Sequence, residues 1–277
     1  MTGALDRLHA GPRTHVYSIS VGLEPDPRRL PECFGAGDTA LVDAMRAIVS
    51  ATADLAGAFK PNLAFFEALG PGGWAMLERV RALIPDDRVA IADAKRGDIG
   101  SSSERYAAAI YTELGFDAAT VNPLMGRDAV EPFLAHPGTL TFVLCLTSNP
   151  SADDLLVRGE TFHRIAELAH EWDTESSPGR VGLVVGATRP EPLASIRRLA
   201  PSLPVLVPGV GAQGGSLEGT IGAAGEGGPV IIHATRSLLP SPDESTSISA
   251  FESGVRSRAL ALAASIAEAV QGGANVG

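Results

Sequence analysis

The chain has 277 residues, of which 45% are hydrophobic and 19% are charged, and this balance excludes an intrinsically disordered protein. The formal net charge of −10 argues against non-specific nucleic-acid binding through a cationic surface. Because the sequence has no apolar run of about 18 residues, no apolar leader and only two cysteines, we expect a cytoplasmic protein without a membrane span, a disulfide framework or a zinc cluster.

Eight short apolar runs, rich in β-branched residues, recur along the chain. Each run is continuous rather than alternating, which is typical of strands covered on both faces in a parallel sheet. Their C-terminal ends recur about every 30 residues, the length of one strand–helix unit. The predicted strands cover residues 16–23, 55–59, 89–92, 118–121, 140–146, 181–185, 205–207 and 230–232.

Helical patterns fill the gaps between these strands. Asp38 is the predicted N-cap of the first helix, and the polar segments 209–228 and 237–249 are predicted loops. The predicted helices cover residues 39–52, 72–83, 101–114, 128–135, 161–172, 190–199 and 251–270. This regular alternation favours a (β/α)8 barrel rather than a doubly wound sheet. We expect residues 1–277 to form a single domain, with flexible tails at about residues 1–12 and 271–277.

Functional residues of such barrels lie in the loops that follow the strands. The densest group of charges is DAKRGD, which contains Asp93, Lys95 and Asp98 and follows the third strand, while Lys60 ends the second. Asp93 and Lys95 are two residues apart in extended chain, so we expect their side chains on the same face. A structural salt-bridge network is the alternative interpretation of these four charges.

A second polar group follows the seventh and eighth strands, where barrels commonly bind phosphate. The glycine-rich segment 208–215 contains Gln213, and Arg236 supplies a fork of donors suited to a phosphate dianion. A plain surface loop is the alternative for the glycine-rich segment. His233 has no metal-ligating residues at suitable spacing, so we expect a hydrogen-bonded strand histidine.

Six motifs in chain order resemble those of the orotidine 5′-phosphate decarboxylase family, and most closely its longer, DAKRGDI-type subfamily. The resemblance spans about residues 15–240, and KPNLAFFE, TSNP and PGVGAQGG carry more of its specificity than the aspartate–lysine run. The six motifs are VGLEPD (21–26), KPNLAFFE (60–67), DAKRGDI (93–99), VNPLMG (121–126), TSNP (147–150) and VPGVGAQGG (207–215).

The resemblance implies decarboxylation of orotidine 5′-monophosphate to UMP, the last step of de novo pyrimidine biosynthesis, without a metal or organic cofactor. It implies that Lys60, Asp93, Lys95 and Asp98 form a catalytic tetrad in which Lys95 protonates C6 of the pyrimidine. It also implies a homodimer in which Asp98 of each subunit enters the site of the other. Whether Asp93 repels the substrate carboxylate or positions Lys95 is left open.

The remaining site residues implied by the resemblance are substrate contacts. Glu24 and Ser102 are expected at the ribose and Ser148 at the pyrimidine, while Gln213 and Arg236 are expected at the phosphate, with segment 209–228 closing as a lid.

The chain departs from the usual family pattern at several of these positions. Glu24 stands where the family usually has Asp, and one extra methylene shifts the carboxylate by about 1 Å, enough to lower activity in a tight site. Ser102 replaces the usual Thr, Leu124 a common aromatic, and segment 233–236 reads HATR rather than an Asn-Ser-Ser-Arg-like run.

Three other functions are compatible with a barrel that carries these residues. Lys60 and Lys95 would also suit a Schiff-base aldolase, and a magnesium-dependent β-keto-acid decarboxylase belongs to the same superfamily. A nucleotide-binding protein that has lost turnover through the Glu24 change is the third.

Overall fold

Eight parallel strands follow one another around a closed barrel, in which the last strand pairs with the first. The computed structural model describes residues 2–176, 179–210, 215–225 and 227–274. The (β/α)8 prediction is confirmed, and the pairing of the eighth strand with the first excludes the doubly wound alternative. The strands are β1 (Tyr17–Leu23), β2 (Ala56–Pro61), β3 (Val89–Arg96), β4 (Ala118–Val121), β5 (Leu140–Leu146), β6 (Val181–Val185), β7 (Val205–Pro208) and β8 (Val230–Ala234).

The helices pack around this barrel and bury an apolar face against the strands. None of those in the described ranges is long and apolar enough to cross a membrane. Their bounds are α1 (Ala4–Ala10), α2 (Asp38–Thr52), α3 (Leu63–Glu67), α4 (Pro71–Arg81), α5 (Gly100–Ala107), α6 (Arg127–Leu134), α7 (Thr161–Ser176), α8 (Pro190–Leu199), α9 (Leu217–Ala224) and α10 (Ile248–Ala274).

Three details of the helix prediction are wrong. Asp38 is the first residue of α2 rather than its N-cap, which is Gly37 and has no side-chain acceptor. The helix predicted over 101–114 consists of α5 followed by a π-helical turn at Ala108–Glu113. The loop predicted over 209–228 contains α9, which begins at a Ser216 cap and was missed because its small residues have little helical periodicity.

Part of the N-terminal segment that was predicted as a tail forms the helix α1. Ala4 and Leu8 of α1 are buried against residues of the barrel interior, including Ile91 and Phe142. The amide of Ala4 donates to the carbonyl of Gly138 at 2.9 Å, and Arg7 forms an ion pair with Asp117. Since these partners precede strands, α1 covers the N-terminal end of the barrel, away from the strand ends where the site is expected.

The other predicted tail, residues 271–277, is divided by the end of the last helix. Its first four residues complete α10, which ends at Ala274, and residues 275–277 lie outside the described residues.

Replacing Leu8 with alanine tests whether α1 contributes to stability. Leu8 is 2% exposed, so Leu8→Ala is expected to lower the free energy of unfolding by about 3 kcal/mol through lost burial and a cavity. Leu260→Ala, at a 46% exposed position of α10, is the matched control and should cost about 0.5 kcal/mol. Urea unfolding measures both, and equal effects would contradict the packing of α1.

Candidate active site

A cavity of about 430 Å³ opens at the C-terminal ends of the strands, where the sequence places the functional residues. Six of the nine predicted site residues line it: Glu24, Lys60, Asp93, Lys95, Ser148 and Arg236.

The charged residues at the base of the cavity share one carboxylate. Lys60 Nζ contacts Oδ2 of Asp93, and Lys95 Nζ contacts Oδ1 of the same side chain. Asp93 and Lys60 are buried, whereas the side chain of Lys95 is 50% exposed. The cluster therefore consists of a buried ion pair between Lys60 and Asp93 and a second, partly exposed cation, Lys95, which lines the cavity.

The electrostatics of this cluster keep Asp93 ionised. Burial by itself raises the pKa of a carboxyl group, but the charges of Lys60 and Lys95 outweigh it and hold the pKa of Asp93 well below its usual range. Two ammonium groups and one carboxylate leave a net charge of about +1 at the base of the cavity.

Asp93 and Lys95 meet as expected, but not through a regular extended strand. Lys95 has a φ of 48°, in the left-handed region that side chains other than glycine rarely adopt. The pairing of β3 with β4 also shifts register between Ala92 and Arg96. The prediction that the side chains of Asp93 and Lys95 lie on the same face is thus correct. The backbone between them, however, forms a bulge rather than a regular extended strand.

Arg236 and Ser148 also line the cavity. Arg236 begins a 3₁₀ turn after β8, is exposed, and forms no ion pair within the described residues. Ser148 follows β5 and packs against Gly186, where an added Cβ would lie 2.8 Å from Ser148. At the end of the sixth strand, Gly186 therefore leaves room for Ser148 and offers no polar side chain of its own.

Glu24, the departure from the usual pattern, still reaches the cavity. It follows β1, and its Oε1 accepts a hydrogen bond of 3.5 Å from Nδ2 of Asn62, which follows β2. The carboxylate therefore lies beside the strand end that carries Lys60.

The comparisons with known proteins agree with this geometry. The model of the "Orotidine 5′-phosphate decarboxylase / HUMPS family" matches residues 20–251. The chain belongs to this family.

Relatives named orotidine 5′-phosphate decarboxylase cover most of the chain. The protein of Herpetosiphon aurantiacus is 45% identical over 241 residues, which are 85% of this chain and 88% of that protein. The protein of Roseiflexus castenholzii is 47% identical over 80% of this chain and 83% of its own length. The solved structure of Leishmania donovani OMP decarboxylase has a TM-score of 0.82 and 32% identity, covering 98% of this chain and all (100%) of that one.

The cavity of this orotidine 5′-phosphate decarboxylase family member does not include every predicted site residue. Asp98 is half-buried in the loop after β3, where its Oδ1 accepts from the amide of Ile99 at 2.8 Å, and Ser102 is exposed on α5. Neither lines the cavity of its own chain. Gln213 lies outside the described residues, so its contact with the phosphate stays a prediction.

Two buried residues with hydrogen bonds at the site were not predicted to act there. Thr120 of β4 donates to Oδ1 of Asp93 at 3.1 Å. His233 is within 3.2 Å of Ser20 Oγ through Nδ1 and 3.1 Å of Thr235 Oγ1 through Nε2, which confirms a hydrogen-bonded strand histidine. Burial, aided by the Lys60 charge, holds the pKa of His233 well below its usual range, so the ring is neutral. The contact of Thr120 with Asp93 and that of His233 with Ser20 depend on cross-strand register, which no local sequence pattern reveals.

Within the ranges that the structure describes, no three His, Cys, Asp or Glu side chains come together in an arrangement that could hold a metal ion.

Replacing Asp93 with asparagine tests the ion cluster through its pH dependence. Near neutral pH, Asp93→Asn is expected to lower the free energy of unfolding by about 3 kcal/mol, because Lys60 stays buried without its counter-charge. The folded pKa lies well below the unfolded value of about 3.9, so the contribution is fully present above about pH 5 and declines progressively as the pH falls from there toward the folded pKa.

The measurement is urea unfolding of both proteins between about pH 3 and pH 7, where the difference should shrink at the acid end. Asp86→Asn is the control, because Asp86 is exposed and its carboxylate has no partner in the described residues. A difference that is constant across this range would contradict the assignment.

Proposed function

We propose that the protein is a cytoplasmic carbon–carbon lyase that decarboxylates orotidine 5′-monophosphate to UMP in pyrimidine biosynthesis, without a metal or organic cofactor. The observation that carries this proposal is the Lys60–Asp93–Lys95 cluster at the base of the cavity of a family member. It combines a carboxylate that is ionised at neutral pH with an ammonium group that faces the substrate space.

The reaction breaks the bond between C6 and the carboxylate carbon, and the electron pair remains on C6 as CO₂ leaves. This carbanion lies in the plane of the ring and cannot delocalise into the π system. The Lys95 ammonium provides a preorganised positive charge for it and then transfers a proton from Nζ to C6, which yields UMP. A proton from water restores the ammonium group.

The distribution of basic residues supports this role for Lys95. The sequence contains two lysines, Lys60 and Lys95, and all other basic residues apart from histidine are arginines. An arginine stays charged in proteins, so it cannot supply a proton, whereas a lysine can. The chain therefore uses arginine for its other ion pairs and has both of its lysines at the site.

Asp93 is assigned to the positioning of both lysines, since each of its oxygens contacts one ammonium group. This favours the positioning interpretation of Asp93.

Substrate binding is assigned to the walls of the cavity. Arg236, exposed and without a carboxylate partner in the described residues, holds the phosphate together with Gln213, while Ser148 contacts the pyrimidine and Glu24 the ribose. Phosphate contacts remote from C6 supply binding energy that orders the site and excludes water.

The position of Asp98 supports a homodimer with shared sites. Asp98 and Ser102 lie outside the cavity of their own chain, and the side chains of Ile99, Leu124 and Met125 on this and the neighbouring loop are exposed. Large exposed apolar side chains around polar residues are typical of an interface. In the proposed dimer, Asp98 and Ser102 of each subunit contact the substrate bound by the other.

The alternative enzymes differ in simple assays. A Schiff-base aldolase would form a covalent adduct with substrate and borohydride, and the contact of both lysines with one carboxylate makes them poor nucleophiles. A magnesium-dependent β-keto-acid decarboxylase would lose its activity in EDTA. We expect no adduct and no loss.

Lys95 variants test the mechanism. The purified protein should remove the ultraviolet signature of orotidine 5′-monophosphate without added metal, and Lys95→Ala should lower kcat by at least about 1,000-fold. Lys95→Arg keeps the charge but cannot release the proton, so it should lose turnover as well while still binding UMP. An active Lys95→Arg protein would contradict the proton transfer, and a wild-type protein that binds UMP without turnover would contradict the decarboxylase.

Mixed dimers test the shared site. Asp98→Ala and Lys95→Ala proteins are each expected to be inactive, but subunit exchange creates dimers in which one of the two sites is intact. We expect activity to return to about a quarter of the wild-type level after full exchange. No recovery, with exchange verified by mass-tagged subunits, would contradict the assignment of Asp98 to the neighbouring site.

A further inference from the structure

A single hydroxyl group, that of Thr120, holds both the carboxylate and the backbone of the catalytic segment. Its proton is donated to Oδ1 of Asp93 at 3.1 Å. Its oxygen accepts from the backbone amides of Ala94 and Lys95, each at 3.0 Å. A hydroxyl has one proton and two lone pairs, so every hydrogen-bonding position of Thr120 is used.

The register of the sheet explains why a side chain is needed here. Ala92 pairs with Ala119 and Arg96 with Val121, so four steps along β3 face two steps along β4. The three residues Asp93, Ala94 and Lys95 therefore bulge opposite Thr120 alone. A bulge interrupts the ladder and leaves its amides without strand partners, and the Thr120 hydroxyl replaces two of them.

The regular sheet resumes directly after the bulge. The amide of Asn122 donates to the carbonyl of Arg96 at 2.7 Å, and a Cβ on Gly97 would lie 2.6 Å from the carbonyl oxygen of Asn122. The bulge therefore lies between two paired positions, Ala92–Ala119 and Arg96–Val121, and Thr120 lies opposite it on β4. The left-handed φ of Lys95 is the strained element within it.

We propose that Thr120 is a positioning residue whose hydroxyl maintains this bulge, and with it the placement of the Lys95 ammonium group over the Asp93 carboxylate. The inference rests on the proposed decarboxylation. Thr120 is 2% exposed, and its effect on catalysis passes through Asp93 and Lys95. The phosphate site at Arg236 lies after β8, on a strand that does not pair with β4. The hydroxyl should therefore matter for turnover much more than for nucleotide binding.

Two variants separate the hydroxyl from the shape of the side chain. Thr120→Val keeps the branched shape and removes all three hydrogen bonds, whereas Thr120→Ser keeps the hydroxyl. Thr120→Ala is made in parallel, so that a hydroxyl-free protein is available if valine prevents folding. Thr141→Val is the matched control, because Thr141 is 1% exposed on β5 and its hydroxyl contacts Tyr111 outside the cavity.

Kinetics provide the first measurement. Thr120→Val should lower kcat by about 100-fold or more, since displacement of a catalytic group by about 1 Å has this effect, while the Kd for UMP stays within about threefold. Thr120→Ser should keep at least about a tenth of the wild-type kcat, and Thr141→Val should be indistinguishable from wild type.

The two lysines of the chain permit a second measurement that does not depend on activity. Protein labelled with [¹⁵N]lysine has two backbone lysine resonances, and their assignment follows from the one that disappears in Lys95→Arg. Loss of the Thr120 hydroxyl should shift the Lys95 amide and speed its hydrogen exchange by about tenfold or more, because its acceptor is gone. The Lys60 amide should not change.

Four results would each contradict the proposed role of Thr120. The inference is overturned if Thr120→Val keeps kcat within about threefold of wild type, if Thr120→Ser is as impaired as Thr120→Val, if the Thr141→Val control loses as much activity, or if the Lys95 amide is unaffected. A wild-type protein without turnover would instead contradict the proposed function, while the Lys95 amide would still report whether Thr120 maintains the bulge.

Discussion

The carboxylate of Asp93, held between two ammonium groups, is the interaction on which the rest of the site depends. Without it, the buried charge of Lys60 and that of Lys95 would face each other in a site of low dielectric, where like charges repel strongly. With it, the three residues act as one unit with an excess positive charge directed at the cavity. This local excess, together with Arg236, explains how a chain with a net charge of −10 can offer a binding site for an anionic nucleotide.

The barrel supplies the rigidity that such a unit requires. Lys60 lies at the end of β2 and the other two charges lie on β3, so neighbouring strands of a closed sheet fix their separation. At the opposite end, α1 covers the interior with Leu8 and anchors itself to the segments that precede β3, β4 and β5. The closed, well-packed barrel can hold the backbone of Lys95 at its positive φ and can maintain the bulge in β3. A short peptide would relax both to a regular backbone conformation.

Glu24, which stands where the family usually has Asp, lines the cavity. The carboxylate remains at the cavity and contacts the Asn62 side chain, next to the strand end that carries Lys60. The longer side chain keeps the same type of functional group at the same strand end, so a negative charge stays available at the expected ribose position. The other charged neighbours of the site are organised separately, since Arg96 is paired with Glu67 and stacked on Tyr106.

The sequence by itself determined the eight strands, because each is a continuous apolar run that only a sheet covered on both faces can bury. It also determined which residues end those strands, and hence most of the candidate site. The order of the motifs determined the family.

Only the tertiary structure decided that residues 4–10 form a helix, because the surface that buries Leu8 exists only once the barrel has closed. It alone revealed the bulge at Lys95 and the roles of Thr120 and His233, since these depend on which residues face each other across neighbouring strands. Register is a property of strand pairs, and no single stretch of sequence contains it.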